Sequence, residues 1–265
     1  MLIEAAALTM LVLPLGAVLR LRRRGRPDLA PWWRVLCALL AAALTIGALR
    51  LLDETADELL AGHMLQHVLI GDLVPLLLVL AVGGPLLFHL FPVSVVRAAR
   101  RLGRQHLIGL ATRPLPAFVV WAAALAAWHV PALYDRALEN ERLHAFEHAT
   151  FLLGGLLVWS VLLDPARRGL LPGWRRFGYA VALFAVSAAL GNALVLSYRP
   201  LYPAYDVPAA QRPYELTPLR DQNLAAVVMM IEQLATFGTF ALLAARRQLR
   251  LAPSEERLRR HPLAE

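Results

Sequence analysis

Four of the eight histidines fall into two pairs of the same spacing, His63/His67 and His144/His148. Four residues of helix rise about 6 Å and turn a little past one revolution, so the two imidazoles of a pair share a face. Neutral imidazole ligates copper, zinc, iron and nickel. Two pairs on neighbouring helices, with His129 as a fifth ligand, could therefore converge on one ion. A histidine that only caps a helix or anchors it at the headgroups is the plainer role for either pair taken alone. Cys37 is the single cysteine, so neither a CxxC metal site nor a disulfide framework is possible within one chain, and a thiolate site is disfavoured. No HExxH occurs either, because His144-Ala145-Phe146-Glu147-His148 places its glutamate one position before the second histidine.

Other polar residues stand close to these in the sequence. Asp72 lies one to two turns past His67, and Glu147 adjoins His148. Either carboxylate can orient an imidazole through its N–H, and Asp72 can equally bond to another helix. Further along, Gln222, Met229 and Gln233 form a helical stripe with Asp221 at its mouth. The Met229 and Met230 thioethers suit Cu(I), although packing is the commoner use of methionine.

The surrounding chain decides where these groups sit. It is 58% hydrophobic with a mean hydropathy of +0.54, and the apolar residues come in blocks. A soluble fold needs roughly 45–50% apolar residues, so the excess calls for lipid. Seven blocks approach the ~20 residues a spanning helix requires: about 2–19, 32–52, 63–90, 115–133, 143–163, 177–197 and 222–245. The expected fold is an all-α polytopic bundle of about seven spans. Residues 1–250 form its single transmembrane domain, and 251–265 form a polar cytoplasmic tail.

All 27 basic residues are arginine, and they gather at every second connector, 21 on one side against 6 on the other. Cytoplasmic retention of arginine sets orientation, so the N-terminus is expected outside and the C-terminus inside. The net charge of +8 is thus a record of topology and gives no reason to expect a nucleic-acid partner. Charges follow the first apolar block instead of preceding it, which predicts an uncleaved span and no signal peptide. The longest outer connector, 197–220, is rich in Pro and Tyr and is expected to be an ordered irregular cap or re-entrant flap. In this topology His63, His67, His129, His144 and His148 lie at the outer ends of their helices, while His89, His106 and His261 fall on the cytoplasmic side.

The motifs also resemble a known family. His63-Met64-Leu65-Gln66-His67 followed by Pro75, then Trp128-His129-Val130-Pro131, Tyr134-Asp135, His144…His148 and Trp159…Pro165 are similar to the CtaG family of cytochrome c oxidase assembly factors, associated with caa(3)-type oxidases. Leu196-Ser197, Leu201-Tyr202-Pro203-Ala204-Tyr205 and Asp221-Gln222…Met229 continue the likeness to about residue 240. The last helix departs from it, reading Met229-Met230-Ile231-Glu232-Gln233 where the family pattern continues Met-Trp and then Pro-Gly.

The resemblance implies a non-enzymatic multi-pass protein of the bacterial cell membrane that helps mature a haem–copper oxidase. Its partners would be an oxidase subunit or copper chaperones, and its metal would be copper, held by His63, His67, His129, His144 and His148. Asp72, Glu147, Asp221, Gln222 and Met229 are candidates for supporting positions. Two rival readings stand beside it: a haem- or quinone-linked membrane oxidoreductase with histidine axial ligands, and an assembly scaffold that binds no ion.

Overall fold

With no water in the hydrocarbon to satisfy backbone amides, apolar blocks of this length must fold as helices. The computed structural model describes residues 2–29, 31–83 and 109–260, together with Leu86 and Arg97. Helix, turn and bend account for the structure among the described residues, without a strand. The helices are α1 (Leu2–Arg23), α2 (Trp33–Ile46), α3 (Asp53–Glu58), α4 (Leu60–Val68), α5 (Val74–Val82), α6 (Pro114–Trp128), α7 (Pro131–Leu138), α8 (Glu141–Leu163), α9 (Trp174–Val195), α10 (Pro218–Gln233) and α11 (Thr239–Arg260).

Three π turns join or extend these helices: Gly47–Leu51 continues α2, Leu69–Leu73 links α4 to α5, and Leu234–Gly238 links α10 to α11. Five runs are long and apolar enough to cross a membrane: Trp33–Leu51, Leu60–Val82, Glu141–Leu163, Trp174–Val195 and Pro218–Leu251. The α6–α7 pair passes the same test jointly but is bent by 78°. The 22 residues of α1 extend about 33 Å, the length of a crossing helix. The chain is a helical membrane protein.

Its polarity runs opposite to that of a soluble domain. His63, Gln66, His67, Asp72, Glu147, Gln222, Glu232 and Gln233 are buried, while Leu36, Leu39, Leu40, Val119, Ile231, Leu242 and Leu243 face outward. Ionisable groups inside a membrane bundle face its interior because lipid solvates them poorly.

Three elements differ from the sequence expectation. The block 115–133 is not one straight helix: it ends at Trp128, and the chain turns at His129 into α7. Val130 precedes Pro131, whose ring drives it out of helical φ/ψ into an extended conformation. The polar tail is helical as far as Arg260, in keeping with its Arg, Leu and Glu content. The third block begins at Leu60 and its helix ends at Val82, with Gly83 extended, while His89, His106 and His261 lie outside the described residues. The Pro/Tyr connector is ordered and irregular, built from three 3-10 turns at Pro203–Tyr205, Ala209–Gln211 and Pro213–Glu215.

The run Leu60–Val82 packs against α8 and, through α4, against α10. Its contact with α8 is made where a side chain is missing. A Cβ on Gly155 of α8 would overlap the Gly71 carbonyl of the π turn and stand 2.7 Å from Pro75 Cγ. Small residues permit this kind of close helix approach in membranes. A Cβ on Gly71 itself meets Phe151 only at an ordinary 3.4 Å. Gly155→Ala should therefore cost about 1–3 kcal/mol through overpacking and lower the melting temperature in detergent, whereas Gly71→Ala should be close to neutral. Equal effects of the two substitutions would argue against a contact seated on Gly155.

Candidate metal centre

The helix that carries His63 and His67 has no cap of its own. Leu59 precedes it in an extended conformation, and no side chain of the segment accepts its first amides. Asp221, at the start of α10, supplies the missing acceptor: Oδ2 takes the Leu60 N–H at 2.8 Å and Oδ1 the Ala61 N–H at 3.0 Å. A carboxylate at a helix N-terminus satisfies stray donors and complements the helix dipole. Arg212, from the Pro/Tyr connector, pairs with the same carboxylate and also donates to the Tyr205 carbonyl. Both charged side chains are buried. The second histidine helix, α8, is capped conventionally, with Asn140 Oδ1 accepting from the Arg142 and Leu143 amides at 3.0 and 3.2 Å. His144 and His148 follow within its first two turns.

With both helices so fixed, the two pairs meet. His63, His67, His144 and His148 each present a ring nitrogen, and these four atoms lie within 4.8 Å of one another. Ring centroids are 4.3 Å apart for His63–His67, 4.4 Å for His144–His148, 5.1 Å for His63–His144 and 5.3 Å for His67–His148. Four nitrogens around one ion at about 2.0–2.1 Å stand roughly 3–4 Å apart, so small side-chain rotations would close the shell. His63 Nε2, both nitrogens of His67, His144 Nε2 and His148 Nε2 are buried without a hydrogen bond among the described residues. Buried polar atoms are ordinarily paired, and a cluster of unpaired imidazole nitrogens is the donor set a metal ion requires.

Tyr205 fixes which nitrogen His63 offers. Its hydroxyl lies 2.6 Å from the Ala56 carbonyl and 3.2 Å from His63 Nδ1. Burial pushes this phenol above its ordinary pKa, so it keeps its one proton. The carbonyl can only accept, so the hydroxyl donates there and accepts from His63 Nδ1–H. Nε2 is left with its lone pair facing the other imidazoles. Tyr134 donates to Tyr205 at 3.5 Å, and its ring lies 5.1 Å from that of His63. The Pro/Tyr connector thus reaches the histidines directly.

The family model described as cytochrome c oxidase caa3 assembly factor (Caa3_CtaG) matches residues 12–250, nearly the whole chain. The chain belongs to this family of oxidase assembly factors. No curated protein and no solved structure matches it.

In this assembly factor the remaining candidate residues take several places. Glu147 is fully buried at the quartet, with Oε1 3.5 Å from His67 Nε2 and both oxygens free of hydrogen bonds. His129 stands at the bend after α6, outside the group of four, with its ring 6.4 Å from that of Phe151. Asp72 accepts from Gln233 Nε2 at 3.0 Å, the bond to another helix, and the same amide nitrogen reaches Glu232 Oε2 at 2.8 Å. Met229 is buried and lines a small cavity together with His67. Asp221 is the cap described above, with both oxygens engaged. Gln222 fastens the connector, accepting from the Leu201 amide at 2.7 Å and donating to the Leu194 carbonyl at 3.1 Å.

Tyr205 and Arg212 were not singled out by their sequence context. The available signal was that three of the six arginines on the arginine-poor side, Arg199, Arg212 and Arg220, fall in this one connector among its tyrosines and prolines. Removing the Tyr205 hydroxyl should lower metal affinity by about 10–100-fold, the usual loss when a partner that orients a ligand is removed. Metal titration of Tyr205→Phe checks this, and wild-type affinity in that variant would show that the hydroxyl does not set the ligand.

Proposed function

We propose that this assembly factor binds copper at His63, His67, His144 and His148 on the extracytoplasmic side of the bacterial cell membrane and hands it to a haem–copper oxidase subunit or its copper chaperone. The observation that carries the proposal is the convergence of two HxxxH pairs from separate helices with their lone pairs unengaged, in a chain of an oxidase-assembly family. Delivery proceeds by ligand exchange, so no bond of a substrate is made or broken and the role is non-catalytic. Imidazole favours copper among the available biological ions, and the thiolates that would compete for it are missing from the cluster.

The topology that goes with this reading has seven spans, with the N-terminus outside and the C-terminus cytoplasmic. Its support is the partition of 21 arginines against 6 and the helical fold of each described block. Haem is disfavoured by the packing around the histidines: their rings are in mutual contact, and the adjacent cavity holds only about 30 Å³.

Periplasmic reporters fused at Glu58, Glu139 and Tyr205 should be active, and those at Arg24, Arg168 and Arg250 silent. The reverse pattern would overturn the orientation. Loss of His67 or of His148 should each weaken copper binding, and the double variant should be strongly non-additive because one ion shares both ligands. Additive losses would mean two separate sites. Affinity should fall on acidification, since a protonated ring cannot ligate, and an affinity independent of pH would argue against imidazole ligands. A gene-deletion strain should yield oxidase deficient in copper, and an oxidase with normal copper from that strain would contradict delivery.

A further inference from the structure

A small chamber adjoins the quartet at His67. It measures about 30 Å³ and is lined by Met64, His67, Asp72, His129, Met229 and Gln233, among others. That volume accommodates one water or one ion. We propose that this chamber is a second cation site, taking a cuprous ion on the Met64 and Met229 thioethers and His129, and that His67 passes the ion to it from the quartet.

The hydrogen-bond inventory of the chamber points to a cation. His129 Nδ1 stands 2.8 Å from the Leu125 carbonyl, to which it can only donate, so its buried Nε2 keeps a lone pair without a partner. Gln233 spends its amide nitrogen on Asp72 and Glu232, and its Oε1 is left without a bond. Asp72 Oδ1 is likewise unengaged, on a residue only 6% exposed. The chamber therefore presents several unpartnered acceptors, and the donors left among its described lining residues are the Ser187 hydroxyl, the Trp121 indole N–H and an imidazole N–H of His67. Unpartnered acceptors gathered in hydrocarbon are costly unless a positive charge joins them.

The choice of ion follows from softness and charge. Two buried methionines from different helices, Met64 on α4 and Met229 on α10, face the same small space as His67 and His129. Thioether with imidazole is a donor set suited to Cu(I). A cation held there stands beside the Asp72 carboxyl, to which the buried Glu232 is joined through the Gln233 amide, so the choice of a cuprous ion rests on the soft thioethers. His67 lines the chamber and also belongs to the quartet, and neither of its nitrogens is hydrogen-bonded. An ion can therefore pass inward at this ring, the imidazole proton moving to the nitrogen that the ion leaves. The ion keeps its oxidation state throughout.

The inference rests on the copper reading above, so its test separates the two sites. Full-length protein in detergent is titrated anaerobically with Cu(I) against bicinchoninate, and the bound copper is examined by X-ray absorption. Wild type should hold two ions per chain. His144→Ala/His148→Ala should hold one, with sulfur scattering at about 2.3 Å, a metal–sulfur distance. Met64→Leu/Met229→Leu, a nearly volume-conserving change, should also hold one, without sulfur scattering. His129→Gln should weaken only the sulfur-bearing site. One ion in wild type, unaffected by Met64→Leu/Met229→Leu and free of sulfur scattering, would overturn the inner site and leave the quartet standing. A sulfur-bearing ion that survives in the His144→Ala/His148→Ala variant, in a wild type that also holds just one, would keep the inner site and remove the outer one.

Discussion

The candidate site depends on how closely two helices can approach in the absence of a hydrophobic force between them. Lipid is as apolar as leucine, so helices in a membrane associate through packing and polar contacts, and the packing is tightest where side chains are smallest. At Gly155 the backbone of α8 lies against the Gly71 carbonyl and Pro75. That contact sits about two turns beyond His148 on one helix and just past His67 on the other. With this spacing fixed, four imidazoles have nowhere to point except toward one another.

A second constraint governs the vertical register. The π turn at Leu69–Leu73 inserts an extra residue's worth of winding below His67, and Asp221 fixes the top of the same helix by accepting its first free amides. Arg212 holds that carboxylate from the connector, so the connector, the last span and the histidine helix form one unit. Removing one member of a buried ion pair typically costs about 3–5 kcal/mol, because the other charge is left unpaired in a poor solvent. The same connector delivers Tyr205 to His63. A loop that both locks the helix and sets the tautomer of His63 ties the order of the connector to the state of the site.

How much of this was legible in the sequence follows from range. Helical spacing is local, so the two histidine pairs, their shared faces and the apolar blocks could be read directly. The bend at His129 was also written locally, in Val130-Pro131, yet hydropathy averaged over a span conceals it. What could not be read were contacts more than a hundred residues apart. Asp221 stands 161 positions from Leu60 and resembles a ligand at the mouth of a helix until its partners are seen. Tyr205 lies 142 positions from His63, and Gln233 161 from Asp72. His129 shared a side of the membrane with the quartet, but the Phe151 ring lies beside both it and His67, and it faces the inner chamber. Topology assigns a residue to a side, and only packing assigns it to a site.

The central claim, that the four histidines share one ion, is most directly tested by pulsed electron paramagnetic resonance on full-length protein loaded with one equivalent of Cu(II). Coupling to the remote nitrogens of several imidazoles is expected, with at least one lost when His67 is replaced and another when His148 is replaced. A spectrum showing a single imidazole, or one that neither replacement alters, would contradict it.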